Sequence, residues 1–164
     1  MLWLQRTVDS EVTIEGVGLH SGAPARMTFQ PAPVNTGLVF VVPGPGGDTR
    51  IPALVEHAVA AADLVRATTL QHEGVTVHTV EHVLAALYGM GVTNCVIRLE
   101  GGEPPVMGCA SSLPYVEMLD RAGLRDQGLP ATYHKITRPA SLTLGEASLS
   151  VVPADDFRVS FEIE

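Results

Sequence analysis

At 164 residues, 46% hydrophobic and only 17% charged, the chain is long enough to bury a core and too apolar to be disordered. Its formal net charge is −8, with a single lysine, Lys135, and nine scattered arginines. That excludes the clustered basic surface that nucleic-acid binding requires, and any phosphate contact has to be local.

The first stretch has β character. Val8 to Ile14 and Arg26 to Phe29 alternate apolar with polar residues, and Gly37 to Val42 is an apolar, β-branched run. Gly16, Gly18, Gly22 and Pro24 punctuate the first connection, and Pro31, Pro33 and Gly37 the second. Pro43 to Gly47 is a turn. Ile51 to Val55 and Thr68 to Leu70 suit short strands around the Ala-rich piece Ala58 to Ala62. Val75 to Val77 alternates like a strand, and then the period changes. Val80, Val83, Leu84, Leu87 and Met90 recur at helical spacing, with Thr79 as the expected N-cap and Gly89 or Gly91 as the stop. This gives a helix over about 79–90. Cys95 to Leu99 is the next strand, and Gly101-Gly-Glu-Pro-Pro105 opens a loop.

A second helix is predicted over about 113–122, with Ser112 or Leu113 at its cap, Pro114 in its first turn and Gly123 past its end. Leu124 to Pro130 has the composition of a linker. Beyond it, Leu142 to Leu144 and Leu149 to Val151 flank a Gly145-Glu146 turn as a hairpin. Phe157, Val159, Phe161 and Ile163 alternate with polar residues and predict a final strand. Its uncovered apolar face and free edge offer a surface for self-association. The expected organisation is a first domain over 1–124 and the start of a second over 131–164.

The two cysteines, Cys95 and Cys109, form no Cys-x-x-Cys pair and no disulfide framework, which fits a reducing compartment. No signal peptide and no membrane span are visible in the sequence, so a cytoplasmic location is expected. Cys109 has no His or Asp partner nearby in sequence, and an inert thiol is expected there rather than a nucleophile.

The densest group of chemically capable side chains is His78-Thr-Val-Glu81-His82, at a strand-to-helix junction. Glu81 matches the positive end of the helix dipole, and a neutral imidazole at His82 is the form that binds a metal. Two readings compete. His-x-x-Glu-His is the signature of inverted zinc peptidases, in which His78 and His82 share one helical face. A strand that runs to Val77 would start the helix after His78 and point His78 elsewhere.

Several segments in register resemble the UDP-3-O-acyl-N-acetylglucosamine deacetylases, the zinc hydrolases of lipid A synthesis. They are Gln5-Arg-Thr7, Ile14-Glu-Gly-Val-Gly-Leu-His-Ser-Gly22, Gln30-Pro-Ala-Pro33, Asn35-Thr-Gly37, Ala67-Thr-Thr-Leu70, Thr79-Val-Glu-His-Val-Leu-Ala-Ala-Leu87 and Gly91-Val-Thr-Asn94. The resemblance implies an α+β fold whose first domain is a two-layer sandwich, a sheet packed on two helices, with a small inserted sheet near residues 50 to 70. It implies that Glu81 is the general base and His82 one of three zinc ligands, with His20 of Gly-Leu-His near the substrate. The alternative for His20 is a backbone bond within a Gly-rich turn. The implied substrate is a UDP-3-O-[(3-hydroxy)acyl]-N-acetylglucosamine, which loses acetate.

The family's other ligands, a His and an Asp in a His-Lys-x-x-Asp segment, have no match here, since no Asp follows three residues after His134-Lys135. The family's Asp-Gly-Ser after Pro-x-Met is replaced by Gly108-Cys-Ala-Ser-Ser112. The chain is therefore expected to be an amino-terminal half that is inactive alone and holds zinc weakly. The alternative is a non-catalytic remnant with a binding or structural role.

Overall fold

The computed structural model describes residues 3–60, 66–108 and 110–162. They form a mixed α+β structure of two helices and several sheets, dominated by strands. The first strands are β1 (Leu4–Val8), β2 (Val12–Gly18), β3 (Pro24–Pro31), β4 (Leu38–Gly44) and β5 (Gly47–Pro52). Then come β6 (Ala58–Val59), β7 (Thr69–His72), β8 (Val75–Val77), helix α1 (Glu81–Gly89), β9 (Cys95–Glu100) and β10 (Pro105–Val106). Helix α2 (Leu113–Ala122), β11 (Leu124–Pro130), β12 (Ala140–Leu144) and β13 (Ala147–Val151) follow. The chain divides into two compact units, Met1–Ala131 and Thr132–Glu164.

Period-two alternation builds the main sheet of the first unit, six strands in the order β10-β2-β3-β9-β4-β5. All neighbours are antiparallel except β4 and β9, which run parallel with Phe40 beside Ile97. Met27 and Phe29 of β3 and Cys95, Ile97 and Leu99 of β9 present one buried face. Against the same core lie Val83, Ala86 and Leu87 of α1 and Tyr115, Met118, Leu119 and Ala122 of α2. The α2 set follows the spacing of an amphipathic helix. Fully burying side chains of this size contributes about 1.5–3 kcal/mol each, which makes this shared core the main source of the unit's stability. Burial pushes the Cys95 thiol up to about 12, so it packs as a small apolar group.

Several expectations change. The alternating run Val8 to Ile14 is broken between β1 and β2, where the Asp9 and Ser10 amides donate to the carbonyls of Gly123 and Ala122 at the end of α2 (2.9 and 3.2 Å). The strand expected over Ile51 to Val55 ends at Pro52 and gives way to a 3₁₀ turn, Val55–His57. Leu124 to Pro130 is no linker. It is β11, the antiparallel partner of β1, with Thr7 opposite Arg125. The small inserted sheet is β6-β7-β8, centred later than residues 50 to 70. Of the Ala-rich piece, Ala61 and Ala62 lie outside the described residues, as does Cys109.

Helix α2 begins and ends as predicted, with Pro114 in its first turn and Gly123 (φ 71°) after its last residue. Helix α1 is shorter than 79–90. Thr79 is not its cap: Val80 is, and it makes no side-chain capping bond.

In the second unit β12 and β13 form the predicted hairpin, with Leu142 opposite Leu149. Phe157 to Glu162 carries no strand pairing among the described residues, and Ile163 lies outside them. Alternation alone does not make a strand; it needs a ladder partner to satisfy its backbone groups.

Candidate active site

The site is assembled where three chain segments meet at the start of α1: the β2–β3 connection, the β8–α1 junction and the β9–β10 loop. Strand β8 ends at Val77, and His78 donates its amide to Gly102 O (3.0 Å). Thr79 then adopts φ 56° while almost fully buried. A β-branched residue in the left-handed region is unfavourable by roughly 1–2 kcal/mol and persists only where its surroundings hold it. Here the holder is Glu103. The Thr79 hydroxyl donates to Glu103 Oε1 at 2.7 Å. Val80 then donates its amide to Thr68 O (3.2 Å), and helix α1 starts at Glu81.

This start divides the His78–His82 segment between helix and junction. Glu81 and His82, both half-buried, occupy the first helical turn. Glu81 Oε2 accepts the Thr68 amide at 3.0 Å, so the Ala67-Thr-Thr-Leu70 segment both caps the helix start and steadies the Glu81 carboxylate. His78 precedes the helix and shares no helical face with His82. Its ring is engaged by two hydroxyls, Thr69 at Nδ1 (3.1 Å) and Thr76 at Nε2 (3.2 Å).

Glu103 is the residue that sequence reasoning missed, because Gly-Gly-Glu-Pro-Pro has the composition of an exposed loop. It is only 2% exposed. Its carboxylate accepts the amides of His20 and Ser21, the Ser21 hydroxyl (2.9 Å), the Thr79 hydroxyl and the His20 ring at Nδ1 (3.0 Å). Burial alone would raise its pKa. The donors from Thr79, Ser21 and His20 outweigh burial and lower it to about 2. Tyr115 of α2 donates its hydroxyl to Pro105 O (2.9 Å) and so pins the same loop from the other side. Burial first, and then the nearby Glu103 charge, push that phenol up to about 12.

The approach of Glu103 needs Gly18. A Cβ at that position would run into Ser21 Oγ and Glu103 Oε2. The glycine within β2 was therefore the available signal that something packs closely against that strand.

The structure thus brings His20 and Glu103 to Thr79, two residues before Glu81. A groove of about 420 Å³ is lined by His20, Ser21, Thr76, His78, Glu103 and the Gly101-Gly102 turn. Neither Glu81 nor His82 lines it.

The family profile described as "LpxC: UDP-3-O-acyl N-acetylglycosamine deacetylase" matches residues 5–164. The chain belongs to this family. It is similar to the bifunctional enzyme LpxC/FabZ of Chlorobaculum tepidum, 43% identical over the whole of this chain and 35% of that protein. It is 41% identical to the UDP-3-O-acyl-N-acetylglucosamine deacetylase of Myxococcus xanthus, and 39% to that of Shewanella sp. strain ANA-3. In both cases 98% of the chain aligns, with 50% and 51% of the relative. The chain therefore spans about half the length of these two deacetylases.

Members of the LpxC family use zinc. Among the described residues no three His, Cys, Asp or Glu side chains gather into a metal-binding group. A catalytic zinc takes three protein ligands and a water. The described residues alone do not supply such a set. Among them, too, no helix is long and apolar enough to cross a membrane.

Proposed function

We propose that this segment supplies the general base, one zinc ligand and a substrate-binding histidine, His20, of a deacetylase. The reaction removes the N-acetyl group from a UDP-3-O-[(3-hydroxy)acyl]-N-acetylglucosamine in cytoplasmic lipid A synthesis. The segment's fold in this reading is the two-layer sandwich of the family's first domain. The observation that carries the proposal is the start of α1. It puts Glu81 and His82 on one turn and leaves His78 outside, which suits the deacetylase motif and not the inverted peptidase one.

Zinc, when bound, would supply the Lewis acid that polarises the amide carbonyl and acidifies a water. Glu81 would take a proton from water and return it to the departing amine. The Thr68 amide orients Oε2 and leaves Oε1 for that exchange. His82 offers an imidazole as donor, and His20 faces the groove as a substrate-binding residue. The remaining ligands belong to the portion of the family's length that this chain does not span, and the 164-residue polypeptide alone is proposed to be catalytically silent.

The test uses a full-length deacetylase carrying this segment. His82→Ala should remove zinc or most activity. Glu81→Ala should keep the zinc and slow turnover by about 10² or more, the usual size for a lost general base. His78→Ala should leave activity within a few-fold. Equal damage from His78→Ala and His82→Ala would overturn the assignment. So would one retained zinc per isolated 164-residue chain after dialysis against a weak chelator.

A further inference from the structure

We propose that Glu103 is a positioning residue that locks the His20 ring in its Nδ1–H tautomer, with Nε2 as the free lone pair, and fixes the left-handed turn from which the Glu81–His82 helix starts. The argument is one of proton counting. Thr79 has one hydroxyl proton, and it goes to Glu103 Oε1 at 2.7 Å. Toward His20 Nδ1, 3.1 Å away, the Thr79 oxygen can therefore only accept. The second neighbour of Nδ1 is Glu103 Oε1 at 3.0 Å, a carboxylate oxygen that also only accepts. Both neighbours demand a proton on Nδ1. A neutral ring then carries its lone pair on Nε2.

The same carboxylate receives the amides of His20 and Ser21, so ring and backbone of the Gly-Leu-His-Ser segment are held together. A neutral side chain cannot accept from all of these donors at once in their present arrangement. A glutamine would replace one acceptor oxygen with an NH₂ group, facing amides, hydroxyls and a ring N–H that all donate to the carboxylate here. Through Thr79 the effect passes two residues on to Glu81. A substrate group approaching His20 meets an acceptor when the ring is neutral, which selects for a donor such as a hydroxyl or an amide N–H.

What the held groups do rests on the deacetylase reading, but the positioning itself can be read without activity. The probe is the histidine ring in the ¹⁵N-labelled 164-residue chain, measured by two- and three-bond ¹⁵N–¹H correlation at about pH 8.5, where an ordinary histidine (pKa about 6.5) is neutral. The His20 signals are assigned by their loss in His20→Asn. The expected pattern is Nδ1 protonated and Nε2 bare. An Nε2–H ring, or rapid averaging of the two tautomers, overturns the proposal without any Glu103 variant having to fold. In Glu103→Gln the locked pattern should give way to averaging, and Glu103→Asp, which keeps the carboxylate, should restore at least half of it. A folded Glu103→Gln with the His20 pattern unchanged also overturns it. Failure of the deacetylase reading in the His78 and His82 variants leaves these spectra untouched, so the two outcomes are separable.

Discussion

Protonating Glu103 should cost the fold a defined amount of stability. Its pKa is about 2 in the folded chain against an ordinary 4.5. Each unit of difference corresponds to about 1.4 kcal/mol, so the ionised form contributes about 3 kcal/mol. A depressed carboxylate stabilises above its unfolded pKa and stops doing so as the pH falls through its folded pKa. The contribution is therefore whole at pH 6, begins to fall near pH 4.5, and is nearly gone at pH 2. At pH 3 about 2 kcal/mol should already be lost, with a slope never above about 1.4 kcal/mol per pH unit for this one group. The exposed pairs Arg6–Asp126, Arg26–Glu15 and Arg125–Asp9 add little to the trend, since such ion pairs are typically worth about 0–1 kcal/mol. Urea unfolding followed by circular dichroism at pH 6, 5, 4 and 3 measures the loss. A ¹³C titration of the glutamate carboxyls identifies its source. A Glu103 midpoint between 4 and 4.5, or a stability loss below about 0.5 kcal/mol by pH 3, would refute the reasoning, because a carboxylate with these donors cannot titrate normally.

Gly18→Ala should destabilise by about 1–3 kcal/mol, the usual cost of overpacking, and lower the urea midpoint. A change within 0.5 kcal/mol, the ordinary range of a neutral substitution, would mean that Glu103 does not sit against that strand. Glu73→Asn should stabilise by about 0.5–1 kcal/mol, read as a higher thermal midpoint. Glu73 (φ 49°) and Gly74 (φ 80°) form the two-residue turn between β7 and β8, a position for which Asn-Gly is the favoured pair. A lower midpoint would contradict the turn.

The local elements were legible because their causes are local. Helical spacing marked α1, Pro114 and Gly123 bracketed α2, and Gly145-Glu146 between alternating runs marked the β12–β13 hairpin. The failures share a different origin. Leu124 to Pro130 is polar and carries Gly128 and Pro130, so nothing nearby marks it as a strand. It is one because β1 lies alongside, and because Gln127 reaches Ala32 O and accepts from Asn94 Nδ2 (both 2.8 Å). Thr79 had the right type and place for a cap. Glu103, 24 residues further on, took its hydroxyl instead, and the backbone followed. Glu81 and His82 stood out as candidates by motif, since their spacing is sequential. Glu103 was not, since its burial depends on donors from residues 20, 21 and 79, and composition carries no trace of such convergence.

The pairing of β1 with β11 also sets an order of events during synthesis. Residues 4–8 leave the ribosome well before their ladder partner, residues 124–130. The Gln5 side chain likewise bonds Asn35, Asn94 and the Pro130 carbonyl, so its full set of partners exists only after residue 130 has been made. At roughly 5–20 residues per second, the leading strand waits on the order of ten seconds without its mate. The closing of so long a loop comes after the local hairpins, because its entropy must be met before its contacts form. During that interval the exposed backbone of β1 is open to pairing with other chains, and crowded polysomes are where that hazard is greatest.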